Sequence, residues 1–122
     1  MNAIESRGIK FYNKIINGKI RKEAVSSIND PDINFVTQFK DPETLNSILL
    51  KVEKALNGQF NLIGDPDVST NLDIGFITPN GVDFYDQNGE NVIGTLALQD
   101  FKAIITAWRD FLLQAPKNGT KV

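Results

Sequence analysis

The side chains best suited to chemistry are oxygen donors in the middle of the chain. Segment 65–73 has an oxygen-bearing side chain at every second residue: Asp65, Asp67, Ser69, Asn71 and Asp73. This spacing resembles a calcium loop, which needs glycine at position six and glutamate at position twelve. Thr70 and Phe76 stand at those positions, so an acidic loop leading into a strand is the favoured interpretation.

Other carboxylates could also support metal or acid–base chemistry. Asp86, Asn88 and Glu90 resemble part of a metal loop, but Asp, Asn and Gly are equally favoured in hairpin turns. Asp73, Asp83 and Asp86 could act as paired carboxylates. Strand alternation, however, directs Asp83 and Asp86 to opposite faces. We therefore predict no bound metal ion and no cofactor.

The composition narrows the catalytic choices further, because the 122 residues include no histidine and no cysteine. Ser-His-Asp and Cys-His arrangements, thiolate nucleophiles and cysteine–zinc sites are thereby excluded. Neither phosphate-binding motif, G-x-x-x-x-G-K-[ST] or G-x-G-x-x-G, is present. We predict that the protein is not an enzyme. A small hydrolase or nuclease that uses carboxylates and a metal ion stays open as an alternative.

Charge is unevenly distributed, although the formal net charge is only −2. Residues 1–29 carry six Lys or Arg, whereas no basic residue lies between Lys54 and Lys102. The acidic middle of the chain would repel phosphate, so we expect no direct nucleic-acid partner. The N-terminal residues lack the apolar core of a secretory signal, and no apolar run is long enough for a membrane span. We expect a cytoplasmic protein with no membrane partner.

Two amphipathic helices are predicted at about 42–57 and 98–114. Asp41 is a suitable N-cap, Pro42 suits the first helical position, and Gly58 suits the left-handed residue that follows a helix. The second helix has a broad apolar face, and Pro116 follows it. Strands are also predicted at 33–39 and 59–63. In residues 1–29, Asn17-Gly18 could form a hairpin turn or Gly18 could end a helix over 3–17; the helix is favoured.

An antiparallel β-meander is predicted between the two helices, with strands at 72–78, 81–86 and 90–97. Both connecting loops end in Asn-Gly and are interpreted as three-residue loops. That register puts Phe76 opposite Phe84 and Tyr85 opposite Gly75. The apolar face then comprises Leu72, Ile74, Phe76, Val82, Phe84, Val92 and Leu96. The other face comprises Asp73, Gly75, Ile77, Asp83, Tyr85, Asn91, Ile93 and Thr95.

Together these elements predict one α+β domain spanning 1–122, with the antiparallel meander packed on the two helices and a frayed tail at 117–122. The acidic segment 65–90 contains Tyr85, Ile77 and Ile93, and we interpret it as a protein-binding surface. An ordinary solvated sheet face is the alternative. The predicted contact residues are Asp65, Asp67, Asp73, Asp83, Tyr85, Asp86 and Glu90.

The run DIGFITPNGVDFYDQNGENVIGTLALQDFKAIITAWRDFL is a short meander leading into an amphipathic helix. Over residues 70–115 the chain resembles small cytoplasmic immunity proteins of bacterial polymorphic-toxin and contact-dependent inhibition systems. Those proteins share no catalytic motif, so no site residue is carried over. The resemblance implies a non-enzymatic protein that binds and neutralises one cognate toxin domain, often a nuclease with a basic cleft. A structural or self-association module is a further alternative.

Overall fold

The computed structural model describes residues 3–26, 35–70 and 73–114, and it confirms the α+β class. The elements are α1 (Ala3–Ser6), β1 (Ile9–Ile16), β2 (Lys19–Ser26), α2 (Pro42–Leu56), a 3-10 turn (Phe60–Leu62), β3 (Ile74–Ile77), β4 (Gly81–Tyr85), β5 (Val92–Ala97) and α3 (Leu98–Leu113). β1 and β2 form one antiparallel sheet, and β3, β4 and β5 form another in that order. The tail predicted to fray, 117–122, lies outside the described residues.

Helices α2 and α3 confirm the two predicted helices. The Asp41 carboxylate caps α2 by accepting hydrogen bonds from the Glu43 N–H and the Thr44 hydroxyl, both at 3.1 Å. Gly58 follows α2 at φ +76°, as its predicted role requires. The apolar stripe of α2 is buried against α3, so tertiary packing adds to the local capping.

Helix α3 joins the two sheets, because it begins immediately after β5 and its far end packs on β1. Its core residues are Leu98, Phe101, Ile104, Ile105, Trp108 and Phe111. Near its C-terminal end, the Phe11 ring of β1 lies 5.6 Å from the Trp108 ring and 5.5 Å from the Phe111 ring. The Trp108 indole also donates a hydrogen bond of 2.8 Å to the Phe39 carbonyl. Burial of these apolar rings is the main stabilising contribution at this end of the core.

The predicted helix over 3–17 is wrong, because β1 and β2 form a hairpin there and α1 covers only Ala3–Ser6. Asn17 has φ 51° and Gly18 has φ 77°, so both turn residues adopt the left-handed conformation that two-residue hairpin loops favour. Ile9 and Phe11 are buried on either side of exposed Lys10. Burial therefore follows the two-residue period of a strand and not the helical period.

The predicted strands at 33–39 and 59–63 are also wrong. The second contains the 3-10 turn, and residues 35–39 of the first contain no strand, while 33 and 34 lie outside the described residues. Phe35 and Val36 are adjacent yet only 2% and 0% exposed. A strand directs neighbouring side chains to opposite faces, so it could not bury both residues in this one core.

Candidate partner-binding surface

The register of the meander differs by one residue from the prediction. Phe76 is opposite Asp83, and Gly75 is opposite Phe84. Because side chains alternate between faces, a one-residue shift exchanges the two faces of β3. Gly75 and Ile77 therefore face the core, whereas Ile74 and Phe76 face away from it. The ring of Phe35 lies against Gly75, where Tyr85 had been expected.

Thr78 explains this shift, because its hydroxyl organises the turn between β3 and β4. The hydroxyl oxygen accepts hydrogen bonds from the N–H groups of Asn80 and Gly81, at 3.2 and 3.0 Å. The Thr78 N–H also donates to the Gly81 carbonyl at 2.7 Å. The loop thus contains only Pro79 and Asn80, and Gly81 begins β4. A Cβ atom on Gly81 would lie 2.7 Å from the Leu96 carbonyl oxygen, so glycine permits the close approach of β4 and β5.

Segment 66–70 lies along the free side of β3 and extends the sheet. The Ile77 N–H donates to the Pro66 carbonyl, and the Val68 N–H donates to the Gly75 carbonyl, both at 2.9 Å. Asp67 is consequently opposite Phe76. Opposed residues of an antiparallel pair share a face. The face directed away from the core, here called the outer face, comprises Asp67, Ile74, Phe76, Asp83, Tyr85, Val92 and Thr95.

Aromatic and aliphatic side chains occupy the centre of the outer face. The Phe76 and Tyr85 rings meet edge to face, with centroids 5.8 Å apart and planes at 90°. Both are half-buried. Val92, opposite Tyr85, is 49% exposed, and the bulge that follows it leaves Ile93 65% exposed. This is an apolar cluster accessible to a partner, with the tyrosine as its largest amphipathic side chain.

Carboxylates flank that cluster. Asp83 accepts a hydrogen bond of 2.8 Å from the Thr95 hydroxyl. Hydrogen bonds from the hydroxyl and N–H of Ser69 hold the pKa of Asp67 below its usual value. The side-chain amide of Asn91 and the N–H of Glu90 likewise lower the pKa of Asp86. Asp67 and Asp86 therefore stay ionised well below neutral pH.

The structure brings only some of the predicted contact residues together. Asp67, Asp83 and Tyr85 share the outer face, and Asp86 and Glu90 lie in the turn that follows Tyr85. By contrast, Asp73 precedes β3 and accepts a hydrogen bond from the Gln38 side chain.

Asp65 is at the opposite end of β3 from Asp86, and its carboxylate accepts a hydrogen bond of 3.0 Å from the Asp67 N–H. The sequence prediction missed Ile74, Phe76 and Val92 as members of the outer face. The signal that could have identified Ile74 and Phe76 is Thr78-Pro79, since a threonine hydroxyl can form the turn that shortens the loop.

Within the described ranges, no group of three carboxylates is placed to hold a metal ion. In the same parts of the chain, no helix combines the length and apolar character needed to cross a membrane. Comparisons with protein-family models, with curated proteins and with solved structures give no match for this chain.

Proposed function

We propose that the protein acts without catalysis, by binding a positively charged protein on the outer face of the meander. The observation that carries this proposal is the Phe76–Tyr85 pair, half-buried and accessible on an open sheet face, with Asp67 and Asp83 beside it. Binding energy in protein interfaces concentrates at such aromatic anchors, and surrounding polar groups exclude water.

Charge complementarity supports a basic partner. Asp67 and Asp83 lie on the outer face itself, and Asp86 and Glu90 lie in the adjoining turn. No lysine or arginine occurs between Lys54 and Lys102, so the meander and its turns contribute no positive charge to this surface. Clustered charge of one sign speeds encounter with a partner of opposite sign and disfavours other partners.

In its more specific form, the proposal is that the partner is the cognate toxin domain of a bacterial toxin system, neutralised in the cytoplasm. The likeness of residues 70–115 to immunity proteins motivates this form. A carboxylate-bearing surface could also occupy a basic cleft that normally receives nucleic-acid phosphates, which is the mode of inhibition expected for a nuclease toxin.

The test is affinity capture from cells of the source organism with the immobilised chain, followed by mass spectrometry. The variant Asp67→Lys/Asp83→Lys reverses two outer-face charges. Its control, Glu43→Lys/Asp110→Lys, makes the same change in net charge at exposed positions on α2 and α3. Thermal melts of both variants establish that they are folded.

We expect one protein with a basic binding surface to be retained by the wild type and by the control, and to be lost with the outer-face variant. A toxin domain encoded beside this chain would support the specific form. Equal retention by both variants would contradict the use of the outer face.

A further inference from the structure

A cavity of about 350 Å³ lies between the β1–β2 hairpin and the C-terminal end of α3. Its lining residues are Ile20, Arg21, Lys22, Lys40 and Leu112. Three of them are cations, two supply apolar walls, and none is a carboxylate. The volume falls within the range of small-ligand pockets.

The Lys22 ammonium is the least satisfied of these cations. Its Nζ atom is buried and lies 4.2 Å from the centroid of the Phe111 ring. Among the described residues, no atom accepts a hydrogen bond from it. An ammonium has three donors, and leaving them unmatched away from water is unfavourable. Burial accordingly lowers the pKa of Lys22.

The Lys40 side chain places a second ammonium near the cavity. Its Nζ donates to the Lys22 carbonyl at 3.0 Å and lies 5.0 Å from the centroid of the Trp108 ring. The hydrogen bond from the Trp108 indole to the Phe39 carbonyl anchors the backbone just before Lys40. Burial is the main cause that lowers the pKa of Lys40; Glu23 opposes this effect and Arg21 adds to it.

The charges around the cavity are only partly balanced. Glu23 approaches Lys40 Nζ at 4.0 Å, which offsets about one of the three positive charges lining the cavity. The positive charge of Arg21 contributes to the lowered pKa of Lys40, and this repulsion is relieved when an anion enters. A dianion would match the remaining charge of Arg21, Lys22 and Lys40.

We propose that this cavity binds a phosphate monoester whose ester group is apolar. The phosphate oxygens would accept hydrogen bonds from the ammonium groups of Lys22 and Lys40, which lie over the neighbouring rings of Phe111 and Trp108. The side chain of Arg21 alternates to the other face of β2, so Arg21 would add positive charge without a direct contact. The apolar group would pack on Ile20 and Leu112. This site lies on the hairpin side of the molecule and is independent of the outer face.

The test uses the full chain labelled with nitrogen-15 and follows the indole N–H signal of Trp108. Trp108 is the only tryptophan in the chain, and its ring lies beneath the Lys40 ammonium, so its single indole signal reports on changes beside this cavity. Phenyl phosphate is the probe, with inorganic phosphate and sodium chloride at equal ionic strength for comparison. We expect a saturable shift with phenyl phosphate, a weaker response to inorganic phosphate, and none to chloride.

Lys22→Met is the test variant, and Lys54→Met, on an exposed position of α2, is the matched control. Removing one charge-assisted donor should weaken phenyl phosphate binding by about tenfold or more, while the control binds as the wild type does. The melting temperature of Lys22→Met without ligand should be unchanged or raised, since an unsatisfied buried charge is removed. A purely structural lysine would give the opposite shift in melting temperature.

Phosphatidylcholine vesicles with and without phosphatidic acid distinguish the source of the monoester. Sedimentation of the wild type and Lys54→Met, but not Lys22→Met, with phosphatidic acid vesicles would identify a lipid headgroup. Binding of phenyl phosphate alone, with the same dependence on Lys22, would identify a free small molecule. The proposal is overturned if the wild type does not bind phenyl phosphate at millimolar concentration. It is also overturned if Lys22→Met binds phenyl phosphate as tightly as Lys54→Met does.

Discussion

The N-terminal hairpin and the C-terminal meander are both antiparallel sheets packed on α3, but they present opposite chemistry. Lys22 of the hairpin, with Lys40, borders a small cavity of positive charge, whereas the meander exposes an aromatic cluster flanked by carboxylates. The two sheets also differ in how fully their apolar side chains are buried in the core. The meander buries apolar side chains along its whole core face, while the hairpin tip leaves Ile15 and Ile20 exposed. A sheet with few core contacts can thus still place cations beside the core, provided that one of its aromatic side chains is well packed there.

Phe11→Ala should cause the largest loss of stability, because the Phe11 ring packs on both Trp108 and Phe111. Truncation of a buried phenylalanine typically lowers the free energy of unfolding by about 3–5 kcal/mol. Urea denaturation followed by tryptophan fluorescence would measure this loss. The neighbouring exposed variant Lys10→Ala should stay within about 0.5 kcal/mol of the wild type. Similar losses for both variants would be inconsistent with the strand assignment.

Gly81→Ala should cause the next largest loss of stability, and this variant tests the register of the meander. The added Cβ would lie 2.7 Å from the Leu96 carbonyl oxygen, so β4 and β5 would have to separate. We expect a loss of about 1–3 kcal/mol in urea denaturation, as for other overpacked sites. Gly94→Ala on β5 is the control, since no atom lies within 4 Å of its added Cβ. An equal loss at both glycines would argue against this pairing.

Gly18→Ala should destabilise the hairpin more modestly. Gly18 has φ 77° and open space around its Cβ position, so the penalty is backbone strain alone. That strain is about 1–2 kcal/mol for a residue with a side chain. Thermal denaturation would detect it as a lower melting temperature. Asn17→Gly keeps a turn that tolerates positive φ and should change stability little; a larger loss for Asn17→Gly would contradict the assigned turn.

Acidification should reduce the stability contributed by the turn after Tyr85, by a smaller amount than the substitutions above. Hydrogen bonds lower the pKa of Asp86 in the folded chain, whereas in the unfolded chain it is about 3.9. The stability contributed by this group is complete above the unfolded value and is lost as pH falls through the folded value. At neutral pH, Asp86→Asn should therefore have a lower melting temperature than the wild type. On acidification below pH 4, its melting temperature should fall by less than that of the wild type. If the melting temperatures of the two proteins change with pH in parallel, this role of Asp86 is refuted.

Local signals made α2 and α3 predictable, because Asp41, Pro42 and the helical spacing of apolar residues all agree. The turns at the Asn-Gly pairs were harder to predict, since the same dipeptide occurs in turns of different geometry. Gly18 has positive φ, whereas Gly81 lies inside a strand against the Leu96 carbonyl. That contact depends on β5, which no local pattern around Gly81 reveals.

The candidate surface, too, could be predicted from the sequence only in part. Asp83 and Tyr85 were placed on the correct side because Val82 and Phe84, which alternate with them, clearly belong to the core. Phe76 was placed on the wrong side, because its face depends on whether Thr78 shortens the loop. A hydroxyl that replaces a carbonyl as hydrogen-bond acceptor changes the register without changing the hydrophobic pattern of β3.

The most direct test of the outer face is the association rate constant with the captured partner, measured by stopped flow at low and high salt. For Asp67→Lys/Asp83→Lys we predict association at least about tenfold slower at low salt, with a weaker dependence on salt than the wild type. The control Glu43→Lys/Asp110→Lys should retain most of the wild-type rate and salt dependence. Identical rates and salt dependence for the two variants would contradict binding through this face.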